Sequence, residues 1–295
     1  MTSKRIIITG VTGYLGSHIA KALLAEGYDV VALKRKTSRL HRLESILSRL
    51  TFYDIDGLDF TSLFQECREV DVVIHTATCY GRDGESVSQI SEANTQYPLK
   101  LLEAAVTADV GTFINTDTSL DKQLNAYTLS KKQLVDWGRY FANSQEINFL
   151  NINLEHSYGP GDEPTKFPTH VINSCLGNVP ELKLTEGEQK RDFIYIDDVV
   201  SAYIILLKNV DSFNSIYMEF DVGSGQSVSI REFVEIVHRF TASKTHLAFG
   251  ALPYRDGEVM YSEADISGLT AIGWRCCYDL ETGLKQAVEQ ERKRL

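Results

Sequence analysis

Apolar and polar residues follow two rhythms along this chain. Near its start Ile6-Ile7-Ile8 is an unbroken apolar run, the pattern of a central parallel strand covered on both faces. Over residues 15–26 the apolar positions are Leu15, Ile19, Leu23 and Leu24, spaced for one face of a helix, and Gly27 follows as a stop. Further strands are predicted over residues 30–33, 50–53, 70–75, 110–116 and 147–154, with helical patterns between them. Strand and helix in alternation predict an α/β fold, a Rossmann doubly wound parallel sheet. Beyond residue 155 the rhythm changes: Tyr158-Gly159-Pro160-Gly161, Pro164, Pro168 and Pro180 punctuate the chain. Helical periodicity returns over 199–207, 233–240 and 280–288. A dinucleotide-binding domain over 1–160 and a smaller C-terminal α/β substrate-binding lobe over 161–295 are expected, with the chain crossing back between them. Internal repeats and low-complexity linkers are absent from the sequence.

Composition narrows the class. The 295 residues are 43% hydrophobic and 24% charged, ordinary for a soluble globular protein and unlike disordered or fibrous chains. A formal net charge of −10 argues against a general binder of nucleic acid or anionic membrane, so any phosphate site must be local. Cys67, Cys79, Cys175, Cys276 and Cys277 have neither zinc-site nor disulfide-framework spacing, which predicts reduced thiols and no metal. No apolar run approaches the ~20 residues of a spanning helix, and Lys4-Arg5 is followed by too few apolar residues for a signal peptide. A soluble, cytoplasmic protein is expected.

Two motifs bring chemistry. Gly10-Val11-Thr12-Gly13-Tyr14-Leu15-Gly16 follows the first strand and opens the first helix. In that context a glycine turn presents unpaired amides and the positive end of the helix dipole to a pyrophosphate; without it, the spacing is only a turn. Tyr127 and Lys131 lie four residues apart in Asn125-Ala-Tyr-Thr-Leu-Ser-Lys, on one face of a predicted helix. An ammonium one turn away favours the phenolate and is expected to draw the Tyr127 pKa down from ~10. The pair then reads as an acid/base for carbonyl–alcohol chemistry by hydride transfer.

With these motifs the chain resembles the extended short-chain dehydrogenases/reductases of the nucleotide-sugar epimerase, dehydratase and reductase group. The resemblance runs nearly end to end: the glycine turn, Val73-Ile74-His75-Thr76-Ala77, Asn94 ahead of Leu101-Leu102-Glu103-Ala104-Ala105, the Tyr127/Lys131 pair, Tyr158-Gly-Pro, Arg191-Asp-Phe and Gly273-Trp274. Asn115-Thr-Asp, Leu154-Glu-His-x-Tyr-Gly-Pro-Gly-Asp162 and the stretch from Thr185 to Asp198-Val-Val are most similar to the bacterial CDP-abequose and CDP-paratose synthases. Those enzymes reduce the 4-keto group of a CDP-3,6-dideoxy sugar for lipopolysaccharide.

The resemblance implies roles by position. Thr116 matches the catalytic Ser/Thr that holds the substrate oxygen as charge develops, unless it merely ends a strand. Tyr127 would donate the proton, and Lys131 would tune it and bind the nicotinamide ribose. Gly10, Gly13, Tyr14, Leu15, Gly16, Thr76 and Ala77 would line the cofactor, with Asp54 and Ile55 flanking the adenine. Where NAD-preferring members place an acid at the end of the second strand, this chain has Lys34-Arg35-Lys36. Lys34 and Arg35 suit the 2′-phosphate of NADPH, or the run is a solvated basic loop. Dehydratases follow their threonine with Asp-Glu; Thr116-Asp117-Thr118 keeps the Asp and lacks the Glu, so dehydration lacks its base. Asp117 either shapes the sugar pocket, with Thr118, or caps the loop backbone.

Arg191 and Arg255 match positions that hold the sugar-nucleotide diphosphate in relatives, or are salt-bridge residues. His156 stands where many relatives carry Asn and orients the nicotinamide loop or the sugar, or is structural. Cys79, with Tyr80 and Arg82, would line the sugar pocket, and Asn153 replaces a family Arg. The expectation is an NADPH-dependent reductase of a CDP- or dTDP-linked 4-keto-6-deoxy or 4-keto-3,6-dideoxy hexose, working as a homodimer. The alternatives are an NAD-dependent nucleotide-sugar 4-epimerase and a catalytically silent NADP-binding regulator; the intact Thr116, Tyr127 and Lys131 count against the latter.

Overall fold

The protein is described by a computed structural model over residues 3–213, 216–255 and 257–294. The chain divides into two compact units, one of residues 1–153 and 203–220, the other of residues 154–202 and 221–295.

In the first unit β1 (Arg5–Thr9), α1 (Tyr14–Ala25), β2 (Asp29–Lys34), β3 (Thr51–Asp54), α2 (Phe60–Cys67) and β4 (Val72–His75) follow one another as the periodicity predicts. A helical stretch comes next: α3 (Val87–Ser91), one π turn (Glu92–Gln96) and α4 (Tyr97–Thr107). β5 (Thr112–Thr118), α5 (Ala126–Asn143) and β6 (Asn148–Leu154) complete the alternation. The second unit is built from β7 (His156–Tyr158), α6 (Phe167–Leu176), β8 (Glu181–Lys183), β9 (Lys190–Tyr195) and the first half of α7 (Ile196–Asn209). The chain re-enters the first unit within α7, adds β10 (Tyr217–Val222), and ends with β11 (Ser227–Ser229), α8 (Ile230–Thr241), β12 (His246–Ala248), α9 (Ser267–Ala271) and α10 (Leu280–Arg292).

The large sheet has the order β10-β6-β5-β4-β1-β2-β3. The strands from β5 to β3 pair in parallel, with Ile7 opposite Val31 on one side and Val73 on the other, and Val73 opposite Phe113. These are the apolar runs of the sequence, and their burial explains them: Ile6, Ile7, Ile8, Val73, Ile74, Phe113 and Ile114 are all 0% exposed. Strand order reverses beside β1, which has β2 on one edge and β4 on the other. In an open α/β sheet the crevice beyond the carboxyl ends of such strands receives the ligand.

β5 differs from its predicted bounds. It runs to Thr118 rather than stopping at residue 116, because Asn115 continues the pairing opposite His75 and the polar end of the strand finds partners on β6 and in the loop that follows. In the second unit β11, β9 and β7 form a small sheet, and Phe193 stacks on Phe233 with ring centroids 4.2 Å apart. Asp198 fastens the segment before α10, accepting from the amides of Cys277 and Tyr278 at 2.9 Å each and from the Cys276 thiol at 3.1 Å. Burial, and then Asp198, push that thiol up to about 12, which keeps it protonated. Among the described residues no helix is long and apolar enough to cross a membrane.

Candidate active site

The glycine turn is tight because backbone must pass backbone. The Gly13 amide donates to the Gly10 carbonyl at 2.9 Å, and Gly10 has φ +68°. A Cβ on Gly16 would come within 2.3 Å of the Gly10 oxygen, and one on Gly10 within 2.6 Å of the Ala77 amide nitrogen. Thr76 and Ala77 are drawn against this turn: Thr76 Oγ1 donates to the Thr9 carbonyl at 2.7 Å and the Ala77 amide to Thr9 Oγ1 at 3.2 Å. The start of α1 has no side-chain cap and no acidic residue in its first turn, which leaves its amides and dipole to an anion. The turn therefore fits a dinucleotide pyrophosphate. At the end of β2, Lys34 is ion-paired with Asp54, and the Ile55 amide donates to the Lys34 carbonyl at 2.8 Å. Arg35 and Lys36 remain exposed.

The catalytic candidates cluster in the first unit. Asn125 caps α5 in a reciprocal box: its Oδ1 accepts from the Thr128 amide at 3.0 Å, and its own amide donates to Thr128 Oγ1 at 3.2 Å. This sets Tyr127 on the first turn, with Lys131 one turn on and only 2% exposed. Thr118, on β5, accepts from the Leu120 amide at 3.3 Å, and its side chain bears on the Tyr127 phenol. The Tyr80 ring lies 5.1 Å from the Tyr127 ring, and the Arg82 guanidinium lies 4.7 Å over Tyr80.

The electrostatics correct one expectation. Tyr127 is raised above the ordinary phenol range, by burial first and then by Tyr80 and Asp117; Thr118 and Arg82 oppose the shift without reversing it. Desolvation, rather than the lysine one turn away, decides the direction of the shift. Tyr127 is therefore a firmly protonated acid. Burial brings Lys131 itself down to about 8, with Asp117 raising it and Lys122 lowering it.

Thr116 is held where the sequence did not show. Its Oγ1 is 2.6 Å from the hydroxyl of Tyr203, a fully buried residue of α7. A signal existed: a tyrosine inside the apolar run 199–207 has a hydroxyl that needs a partner. Asp117 does not cap the loop backbone. Its Oδ2 accepts from Lys122 Nζ at 2.8 Å and Asn151 Nδ2 at 3.3 Å, while Oδ1 is buried without a partner among the described residues. Asn115 and Asn153 bond Asn151 at 2.8 and 3.1 Å, so an amide ladder occupies the place of the family arginine.

Asn94, within the π turn, is 0% exposed and ties three pieces together. Its Oδ1 accepts from the Cys79 amide at 2.7 Å, and its Nδ2 donates to the Cys79 carbonyl at 2.8 Å and to Ser130 Oγ at 3.0 Å. Ser130 Oγ in turn donates to the Tyr127 carbonyl at 2.7 Å. A π turn at such a place is characteristic of functional sites. The Cys79 thiol is pushed up by burial and stays protonated.

Three substrate candidates lie in the second unit. Arg191 is 7% exposed and ion-paired with Glu258, so it is not a surface salt-bridge residue. Arg255 is exposed. His156 Nδ1 is 3.3 Å from Glu155 Oε2, and its ring packs edge-on to Phe193 at 5.8 Å. Among the described residues no group of three or more His, Cys, Asp or Glu side chains is placed to hold a metal.

Comparison with known proteins bears on this geometry. The sequence model of the NAD dependent epimerase/dehydratase family matches residues 6–218. The chain belongs to this family. It is 33% identical to the CDP-abequose synthase of Salmonella muenchen over 98% of both chains, and 34% identical to that of Salmonella typhimurium over 97% of both. Solved structures give the same fold. The UDP-glucose 4-epimerase of Thermotoga maritima, solved with UDP-glucose, superposes with a TM-score of 0.86 at 21% identity, covering 98% of this chain and 99% of its own. The UDP-glucuronic acid 4-epimerase of Bacillus cereus, solved with UDP-glucuronic acid and NAD, gives 0.86 at 24%, covering 99% and 100%. The chain is thus a nucleotide-sugar-modifying enzyme of an NAD(P)-dependent oxidoreductase family, on a Rossmann fold.

Proposed function

We propose that this enzyme reduces the C4 keto group of a nucleotide-linked 4-keto-6-deoxy or 4-keto-3,6-dideoxy hexose with NADPH, as its likeness to CDP-abequose synthases suggests. The observation that carries the choice of reductant is the exposed pair Arg35 and Lys36 beyond β2. Lys34 is ion-paired with Asp54, which leaves Arg35 to meet a 2′-phosphate. A reductase draws its reductant from outside at every turnover, whereas an epimerase regenerates its own.

When bound, NADPH supplies the hydride that adds to C4. The Tyr127 hydroxyl gives its proton to the carbonyl oxygen, so the C=O π pair ends as the new O–H bond. The Thr118 side chain favours the tyrosinate left behind, and Arg82 adds positive charge from beyond Tyr80. Thr116, oriented by Tyr203, steadies the developing alkoxide. The high-lying phenol suits this direction: Tyr127 holds its proton until a stronger base, the alkoxide, forms. Arg191 and Arg255 are assigned to the nucleotide diphosphate, with Arg191 exchanging Glu258 for phosphate. Cys79 and Asp117 border the sugar, and His156 orients its neighbours through Glu155. α5 exposes Leu129, Trp137 and Tyr140 at 46%, 43% and 59%, a stripe at helical spacing that suits pairing with a second copy.

The test follows NADPH absorbance beside chromatography of the sugar nucleotide. A CDP- or dTDP-linked 4-keto-6-deoxy sugar should consume NADPH mole for mole and emerge as the 4-hydroxy sugar, and a saturated nucleotide hexose should be untouched. Interconversion of C4 epimers without added reductant would replace this reading with the epimerase one. Light scattering at micromolar concentration should give twice the chain mass.

A further inference from the structure

Asp117 is a buried carboxylate with a job left over. Its side chain is 1% exposed, one oxygen is used by Lys122 and Asn151, and the other faces no partner among the described residues. A buried carboxylate with an empty oxygen is expensive unless a cation nearby offsets it. Lys122 is that cation only in part, because 30% of its side chain remains in water and it also donates to the Thr118 carbonyl. The second cation is Lys131, almost wholly buried in the same unit and with no ion pair of its own among the described residues.

The groups bearing on Lys131 are few. Asp117 comes from β5 and Lys122 from the loop after it. His75, at the end of β4, stays uncharged, since burial and then Lys131 hold its imidazole well below the ordinary range. Asp117 is thus the anion that acts on the catalytic lysine among the described residues, and the ladder Asn115–Asn151–Asn153 fixes where it stands.

We propose that Asp117 is a positioning residue: held by Asn151 and Lys122, it is the counter-charge that keeps Lys131 an ammonium and so keeps the tyrosine–lysine pair in working form near neutral pH. This rests on the assignment of Tyr127 and Lys131 as the proton-transfer pair. The signs are definite. Desolvation lowers Lys131 to about 8, so its ammonium is present below that pH and lost above it. Taking away the anion lets it fall further; taking away the Lys122 cation lets it rise.

The experiment measures the pH dependence of kcat at saturating NADPH and 4-keto sugar nucleotide, in the wild type, Asp117→Asn and Lys122→Met. It is joined by NMR titration of 15N-lysine side chains in the enzyme without ligands, with the Lys131 signal assigned by its loss in Lys131→Met. The alkaline limb and the Lys131 titration should both move to lower pH by about one unit in Asp117→Asn, within the span a nearby charge commands. In Lys122→Met, whose site is partly solvated and tolerant of change, both should move up. Unchanged titration in Lys122→Met, or shifts of the same sign in both variants, would overturn the proposal. Should the enzyme prove inactive on every keto sugar tried, the functional reading falls, yet the NMR titration still decides whether Asp117 governs Lys131.

Discussion

Thr116 and Tyr203 share one hydrogen bond of 2.6 Å between their side-chain hydroxyls. They are 87 residues apart in sequence and only 9% and 0% exposed. Burial holds the Tyr203 phenol protonated, so the bond fixes the rotamer of the threonine. Tyr203→Phe should leave the Thr116 hydroxyl unpaired and lower stability by about 1–3 kcal/mol. Urea unfolding measures it; a midpoint equal to that of the wild type, at equal m-value, would show that the bond contributes nothing.

Tyr127→Phe keeps the ring and removes the proton. Turnover should fall by roughly 10²–10⁴-fold, the usual worth of a general acid, while NADPH binding survives. A variant retaining most of its kcat would move the acid elsewhere.

Arg35→Ser should weaken NADPH by about 1.5–3 kcal/mol, the range of a hydrogen bond to a charged group, and leave NADH nearly unaffected. Fluorescence titration of the two cofactors makes the comparison. Equal losses for both would mean that Arg35 serves no 2′-phosphate.

Gly138 of α5 lies against the Phe149 ring of β6: a Cβ there would lie 2.2 Å from Phe149 Cζ. Gly138→Ala should cost about 1–3 kcal/mol by overpacking, despite the better helix propensity of alanine. Thermal unfolding that shows no loss would mean that the Phe149 ring can move aside.

What was legible in the chain follows from burial. Strands covered on both faces read as unbroken apolar runs, so Ile6-Ile7-Ile8 and Val72-Val73-Ile74 announced the parallel sheet, and a glycine turn between strand and helix announced the phosphate end. What was not legible lies where polar groups are buried. Asp117 reads in sequence as a pocket or loop residue; it is in a strand, where Asn151 and Lys122 hold one of its two oxygens. Asn153 reads as a missing arginine; it ends an amide ladder. The Tyr127–Lys131 spacing shows that the two are neighbours but carries no measure of desolvation, which decides the direction of the phenol's shift.

The π turn over Glu92–Gln96 has a consequence for length. The helix from Val87 to Thr107 carries one residue more than an α-helix along the same path would use. Deleting a single residue there would restore ordinary hydrogen bonding with α3 and α4 keeping their faces, so Ile90 would stay in the interior. What would be lost is the wide turn that carries Asn94 to Cys79 and Ser130. The surplus residue thus acts as a spacer, setting by its count alone how firmly the loop bearing Tyr80 and Arg82 is moored beside the catalytic helix.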